Sequence, residues 1–275
     1  MIKLGLIAGG GALPINLARH CAAIGRPLFV IRLKGFADSA LNDFEGADVG
    51  IAELGKGMAA LRRAGCGAVC LAGKVERPDM SALKPDLRGL VALPGAILAA
   101  SKGDDALLSF MLREFEKDGF AVEGAHEVRA GLTLPEGPLG LHGPREADMP
   151  DIERALEAAR AIGRLDIGQG AVSCRGLVVA LEAQEGTDAM LARVGELREA
   201  VRGTPERRCG VLAKASKPGQ ELRIDMPAIG PETIRRAAFA GLVGIAGEAG
   251  HLLVLDQNET IRLADRFGLF IVGVR

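Results

Sequence analysis

The chain has 275 residues, 48% hydrophobic and 25% charged, the composition of a soluble globular protein with material for one large or two ordinary domains. Its net charge of −1 argues against a nucleic-acid binder working through a basic surface. Five cysteines without Cys-x-x-Cys spacing (Cys21, Cys66, Cys70, Cys174 and Cys209) read as reduced, buried thiols of a cytosolic protein, not as a disulfide framework or a zinc site.

In chain order, a strand over 3–8 comes first, with no signal-peptide pattern at the start. Gly9-Gly10-Gly11 then opens a helix over 13–25. A strand over 27–33, a helix over 58–64, a strand over 68–72 and a helix over 106–117, stopped by Gly119, follow. That alternation predicts a Rossmann-like parallel sheet with helices on its faces. The most apolar run, 90–100, is too short to cross a membrane and is interrupted by Pro94-Gly95, so any membrane contact is peripheral. Its residues Leu90, Val91, Leu93, Ile97 and Leu98 could touch lipid but are read first as core. The chain has no Trp or Tyr, the usual interfacial anchors.

Residues 131–150 concentrate glycine and proline and are read as a linker between a nucleotide-binding domain, 1–130, and a second α/β domain, 151–275. The second domain is predicted to hold a helix over 151–162, a buried strand over 176–180 and strands over 210–214, 222–225, 252–255 and 270–274. Further helices are predicted from Pro231 and over 258–267 with Gly268 as its stop.

The stretch from Glu182 to Asp188, Glu-Ala-Gln-Glu-Gly-Thr-Asp, places three carboxylates at a strand-to-helix turn. Thr187 or Asp188 is the expected N-cap. Free amides at a helix start suit a phosphate and neighbouring acids suit a divalent cation, so the turn fits a metal-assisted phosphoryl or pyrophosphate site. Taken alone, it is better read as a capped helix with solvated acids.

Gly9 to Gly11 lie where doubly wound folds hold a nucleotide phosphate, although a tight turn would need the same glycines. They are not a dinucleotide fingerprint, because Pro14 replaces the third glycine and the second strand ends in Arg32-Leu33-Lys34 without an acid. Lys74 follows a strand's C-terminal end. Gly103-Asp104-Asp105 precedes a helix, one aspartate capping it and the other available as ligand or base. If 214–225 is a hairpin, Lys214 and Lys217 come close to Arg223 and Asp225, the pattern of phosphate plus metal.

Taken together, these motifs resemble a family. Gly9-Gly10-Gly11-x-Leu13-Pro14, Ala72-Gly73-Lys74, Gly103-Asp104-Asp105, Glu182-Ala183-x-Glu185-Gly186-Thr187-Asp188, Lys214-x-x-Lys217-Pro218-x-Gln220, Arg223-x-Asp225-x-Pro227 and Ala240-Gly241-Leu242-x-Gly244 run in the order found in the UDP-2,3-diacylglucosamine pyrophosphatases of lipid A biosynthesis, in the form unrelated to calcineurin-like phosphatases. The resemblance implies a two-domain enzyme that uses magnesium to hydrolyse UDP-2,3-diacylglucosamine to UMP and 2,3-diacylglucosamine 1-phosphate. It also implies that Asp225 is the essential aspartate.

With that chemistry, Asp225 and Asp104, with Glu182 or Glu185, would hold magnesium or orient the attacking water. Lys74, Lys214 and Lys217 would neutralise the pyrophosphate, and Gly186 and Thr187 would donate hydrogen bonds. Gly10, Gly11 and Ala12 would approach the UMP half, with Asp188, Gln220 and Arg223 as further substrate contacts. Water is the expected nucleophile, since no Ser-His-Asp set or His-Glu-x-x-His motif appears. The motifs fall on both sides of 131–150, so the ligand is expected in an interdomain cleft that closes about that hinge. Expected partners are the lipid-linked nucleotide and, transiently, the cytoplasmic membrane surface, with no nucleic acid; a homodimer is compatible. The expected location is the cytoplasm, peripheral to the inner membrane. Two other classes stay open: a non-catalytic nucleotide-binding module, and a sugar-nucleotide transferase or dehydrogenase.

Overall fold

The computed structural model describes residues 1–75, 83–101 and 103–275, the side chains of Asp104 and Asp105 excepted. It divides into two compact units: Met1–Ala130 with Glu221–Asp225, and Gly131–Gln220 with Met226–Arg275.

The first unit runs β1 (Leu4–Ala8), α1 (Ala12–Ala23), β2 (Leu28–Leu33), β3 (Gly46–Val49), α2 (Leu54–Arg63), β4 (Ala68–Ala72), α3 (Leu87–Ala100), α4 (Asp104–Lys117), β5 (Ala121–Val122) and the short α5 (Ala125–Val128). Its strands form a parallel sheet in the order β3-β2-β1-β4-β5. Helices cover a parallel sheet on both faces, which is why β1 is apolar at nearly every position and buried throughout. Ile7, Ile31 and Val69 pack with Met58 and Leu61 of α2 and with Leu112 and Phe115 of α4. The strand order reverses between β1 and β4, so their C-terminal ends flank the crevice where such sheets bind ligands.

The second unit runs β6 (Gly137–Pro138), α6 (Met149–Arg164), β7 (Gly170–Cys174), β8 (Leu177–Leu181), α7 (Gly186–Glu196), β9 (Val211–Lys214), β10 (Ala228–Ile229), α8 (Pro231–Phe239), β11 (Gly244–Glu248), β12 (Leu253–Val254), α9 (Gln257–Phe267) and β13 (Phe270–Val274). Its main sheet is mixed, ordered β6-β13-β11-β9-β7-β8, with β9, β11 and β13 parallel. The period-two alternation of strands sorts its apolar residues onto two faces. Val211, Ala213 and Val272 meet Ile152, Ala155 and Leu156 of α6, whereas Val172, Leu212, Ile245 and Ile271 meet Met190, Leu191, Ile234 and Leu263 of α7, α8 and α9. Both units are α/β.

Several sequence expectations are corrected. Residues 131–150 are built into the second unit: Thr133 bridges Leu253, β6 pairs antiparallel with β13, and Leu134 is fully buried. Residues 222–224 form a turn and not a strand, so 214–225 is no hairpin. The run read as a buried strand, β8, is the edge of its sheet, with Leu177, Val178 and Leu181 exposed. Helix α3 continues through Pro94, and Leu90, Val91, Ile97 and Leu98, read as core, face outward.

Candidate active site

Lys214 ends β9, and two residues along the same face lies Leu212, which packs against α7. Alternation therefore sends the Lys214 side chain toward the start of α7, where its ammonium donates to Thr187 Oγ1 at 2.7 Å and to the Ala228 carbonyl at 3.4 Å. Thr187 in turn donates to Glu182 Oε1 at 2.9 Å, and Glu182 Oε2 lies 3.7 Å from the ammonium. Lys214 and Glu182 are 4% and 6% exposed, so this is a buried ion pair with a hydroxyl threaded through it. Glu182 Oε2 accepts no hydrogen bond among the described residues. Gly170 makes room for it: a Cβ there would lie 2.2 Å from Glu182 Oε2. Helix α7 starts earlier than expected, at Gly186, with Glu185 and not Thr187 or Asp188 at its cap position. Neither Thr187 nor Asp188 caps it, because the Thr187 hydroxyl is engaged with Glu182 and Lys214.

The rest of that acidic turn disperses. Exposed Glu185 is held by Arg193, and its carboxyl stays below the ordinary range through a backbone amide hydrogen bond and that guanidinium. Asp188 faces outward, 3.7 Å from Arg236. The Lys217 ammonium donates to Asp166 at 2.7 Å, and Gln220 closes the Lys217 turn by accepting from its amide at 2.9 Å. Sequence reading supplied the acids but not the arginines that bind them.

In the first unit, Gly10 and Lys74 come together as a backbone bridge at the ends of β1 and β4: Gly10 N–H donates to Lys74 O at 2.8 Å and Lys74 N–H to Gly10 O at 2.9 Å. Gly73 turns the chain there with φ +96°, and a Cβ on it would lie 2.7 Å from Gly10 O. The Gly10 amide is thus spent on Lys74, while Gly11 and Ala12 stand at the start of α1, where helix amides lack intrahelical partners. The Lys74 side chain is exposed. Asp225 follows the 222–224 turn, which belongs to this same unit. Ile224 packs on the first core, and Arg223 binds Glu221 at 2.7 Å and Glu116 at 2.9 Å, an arrangement that raises its pKa further. α4 begins at Asp104 with Gly103 at its cap position, and the Asp104 side chain lies outside the described residues.

Magnesium characteristically takes one or two carboxylates, several waters and substrate phosphate oxygens. Among the described residues no three His, Cys, Asp or Glu side chains converge, Glu185 is committed to Arg193, and Glu182 faces an ammonium. The described donor set therefore fits a magnesium ion only as one that arrives with a pyrophosphate. Thiol nucleophiles fit poorly. Burial pushes Cys70 up to about 12, and burial together with a hydrogen bond to Cys209 pushes Cys174 up to about 12, leaving little thiolate at neutral pH.

Comparison with known proteins gives two family matches, the LpxI N-terminal domain over residues 3–132 and the LpxI C-terminal domain over residues 135–272. A curated relative from Caulobacter vibrioides, named UDP-2,3-diacylglucosamine pyrophosphatase LpxI, is 63% identical over 274 residues, spanning 100% of this chain and 98% of the relative.

Proposed function

The chain belongs to the LpxI family, and from that premise we propose that it hydrolyses the pyrophosphate of UDP-2,3-diacylglucosamine, giving UMP and 2,3-diacylglucosamine 1-phosphate. The observation that carries the reading is the buried Lys214 ammonium, aimed by Thr187 and Glu182 at the C-terminal end of a parallel strand. A cation fixed in low dielectric stabilises charge on a breaking phosphoanhydride far more than a solvated one does. Glu182 and Thr187 act as positioning residues for it. Lys74, and Lys217 as far as Asp166 releases it, add countercharge, while the α1 amides of Gly11 and Ala12 receive the nucleotide phosphate.

Asp225 orients the attacking water and accepts its proton. Magnesium, held by Asp225 with Asp104, would supply charge neutralisation and a more acidic bound water. The two acyl chains keep the substrate at a membrane surface, where this protein meets it from the cytoplasmic side. No helix among the described residues is long and apolar enough to cross a membrane.

The test is product analysis with purified protein, the lipid nucleotide and magnesium. UMP release supports the reading. UDP release, or substrate bound but unchanged, overturns it in favour of a transferase or a non-catalytic binding module.

A further inference from the structure

Helix α3 is amphipathic the wrong way round for a helix of a core. Leu87, Leu90, Val91, Pro94, Ile97 and Leu98 recur at helical spacing and all face outward, with Val91 82% and Leu98 62% exposed. Small residues make its seat. Gly89 is buried so close to the Ala52 carbonyl that a Cβ would lie 2.1 Å from it, and a Cβ on Gly95 would lie 2.8 Å from the Phe110 ring of α4. The stripe is therefore the free face of a well-seated helix. Surface helices of monomeric proteins place polar residues there, and a contiguous apolar patch marks a contact surface.

Charge identifies the contact. From Leu87 to Ser101 there is no carboxylate, and Arg88 is the only charged residue. Between α3 and α4 runs a groove of about 470 Å³ whose middle is Val91, Ala92, Gly95 and Phe110. Its end toward the α3 N-terminus carries Arg88 and Lys117, and although Lys117 pairs with Glu114 at 2.7 Å and Arg88 shares Asp118 with Arg62, three cations there meet two carboxylates and leave that end positive. Exposed Lys84 stands just beyond. An apolar trough with cations at one end matches a lipid, acyl chain along the trough and phosphate at the cations.

We propose that α3 is the surface by which this protein seats on an anionic phospholipid bilayer, an inference that rests on the lipid-nucleotide reading above. Aliphatic side chains without Trp or Tyr make the insertion shallow and reversible, so the enzyme can take substrate from the membrane and leave.

The experiment is flotation of the full-length protein with phosphatidylcholine vesicles, with and without phosphatidylglycerol, for the wild type and a Val91→Glu/Leu98→Glu variant. Both positions are exposed, so the variant should keep the wild-type melting temperature and its rate on detergent-dispersed substrate. The wild type is expected to float preferentially with phosphatidylglycerol vesicles. The variant's bound fraction should fall by about tenfold or more. Failure of the wild type to float, equal flotation on neutral vesicles, or equal flotation of the variant overturns the proposal. A wild-type dimer that the variant dissolves, without flotation, overturns it in favour of a second copy. If no UMP forms from dispersed substrate the functional reading fails, while flotation still judges the surface.

Discussion

Lys214 and Glu182 form a nearly buried ion pair at 3.7 Å, bridged by the Thr187 hydroxyl, which accepts from the lysine and donates to the glutamate. The arrangement fixes the ammonium without using up its charge in a direct hydrogen bond to the carboxylate. The lysine's proposed role in turnover and its contribution to folding can therefore be separated by experiment.

Lys214→Met should lower kcat by about a hundred- to a thousandfold, the range for loss of one oriented transition-state donor. It should also cost about 3 kcal/mol of stability, because Glu182 is left charged and buried without its partner. Adding Glu182→Gln should restore most of the melting temperature and none of the turnover. Unimpaired kcat in Lys214→Met would remove the lysine from the chemistry.

Asp225→Asn preserves shape at a half-buried residue beyond a turn, so its melting temperature should stay close to the wild type's. Turnover should drop by about a hundredfold or more, with substrate affinity by calorimetry largely retained. Comparable loss of affinity and rate would make Asp225 a binding residue instead.

Gly73→Ala tests the glycine loop. The φ of +96° disfavours any side chain, and the added Cβ would press on the Gly10 carbonyl and the Pro14 ring. A loss of about 1–3 kcal/mol in denaturant unfolding is expected. Nucleotide affinity should fall with it, because the Gly10–Lys74 bridge is what the methyl displaces.

Cys70 gives a pH dependence. Burial is the chief cause raising its thiol to about 12, with nearby Glu123 adding to it. A group whose pKa is higher folded than unfolded contributes stability that is complete below the unfolded value and lost as pH rises through the folded one. With an unfolded thiol near about 8.5, melting temperature should fall progressively from about pH 9 to about pH 12. Cys70→Ala should flatten that slope while lowering stability at neutral pH. Iodoacetamide should leave Cys70 unmodified in the native protein at pH 8, and rapid labelling there would contradict the burial.

Where end signals and apolar runs coincide, the chain announces its elements. Pro231 opens α8, Gly268 stops α9 with φ +68°, and β13 spans Phe270–Val274 as read. Strands β7, Gly-Ala-Val-Ser-Cys, and β11, Gly-Ile-Ala-Gly-Glu, escape because small residues packed on both faces leave no apolar run to detect. Leu222-Arg-Ile-Asp alternates like a strand, yet Ile224 packs into the first core while Arg223 is held by Glu221 beside it and by Glu116 of α4. At the candidate site, local spacing exposes Glu182 with Thr187 and, in a separate motif, Lys214, which it sets beside Asp225 and not beside Glu182. It could not show that Glu185 answers to Arg193 or Asp188 to Arg236, partners a turn or a helix away.

Residues Glu221–Asp225 complete the first unit from deep within the second half of the chain. During synthesis the first sheet can assemble as it leaves the ribosome, but Ile224 and Asp225 reach it only after most of the second unit has been made. A fragment ending at Ala130 would lack both, exposing the apolar patch that Ile224 covers. With Asp225 in the role proposed for it, the nascent protein would gain its catalytic carboxylate only late in translation.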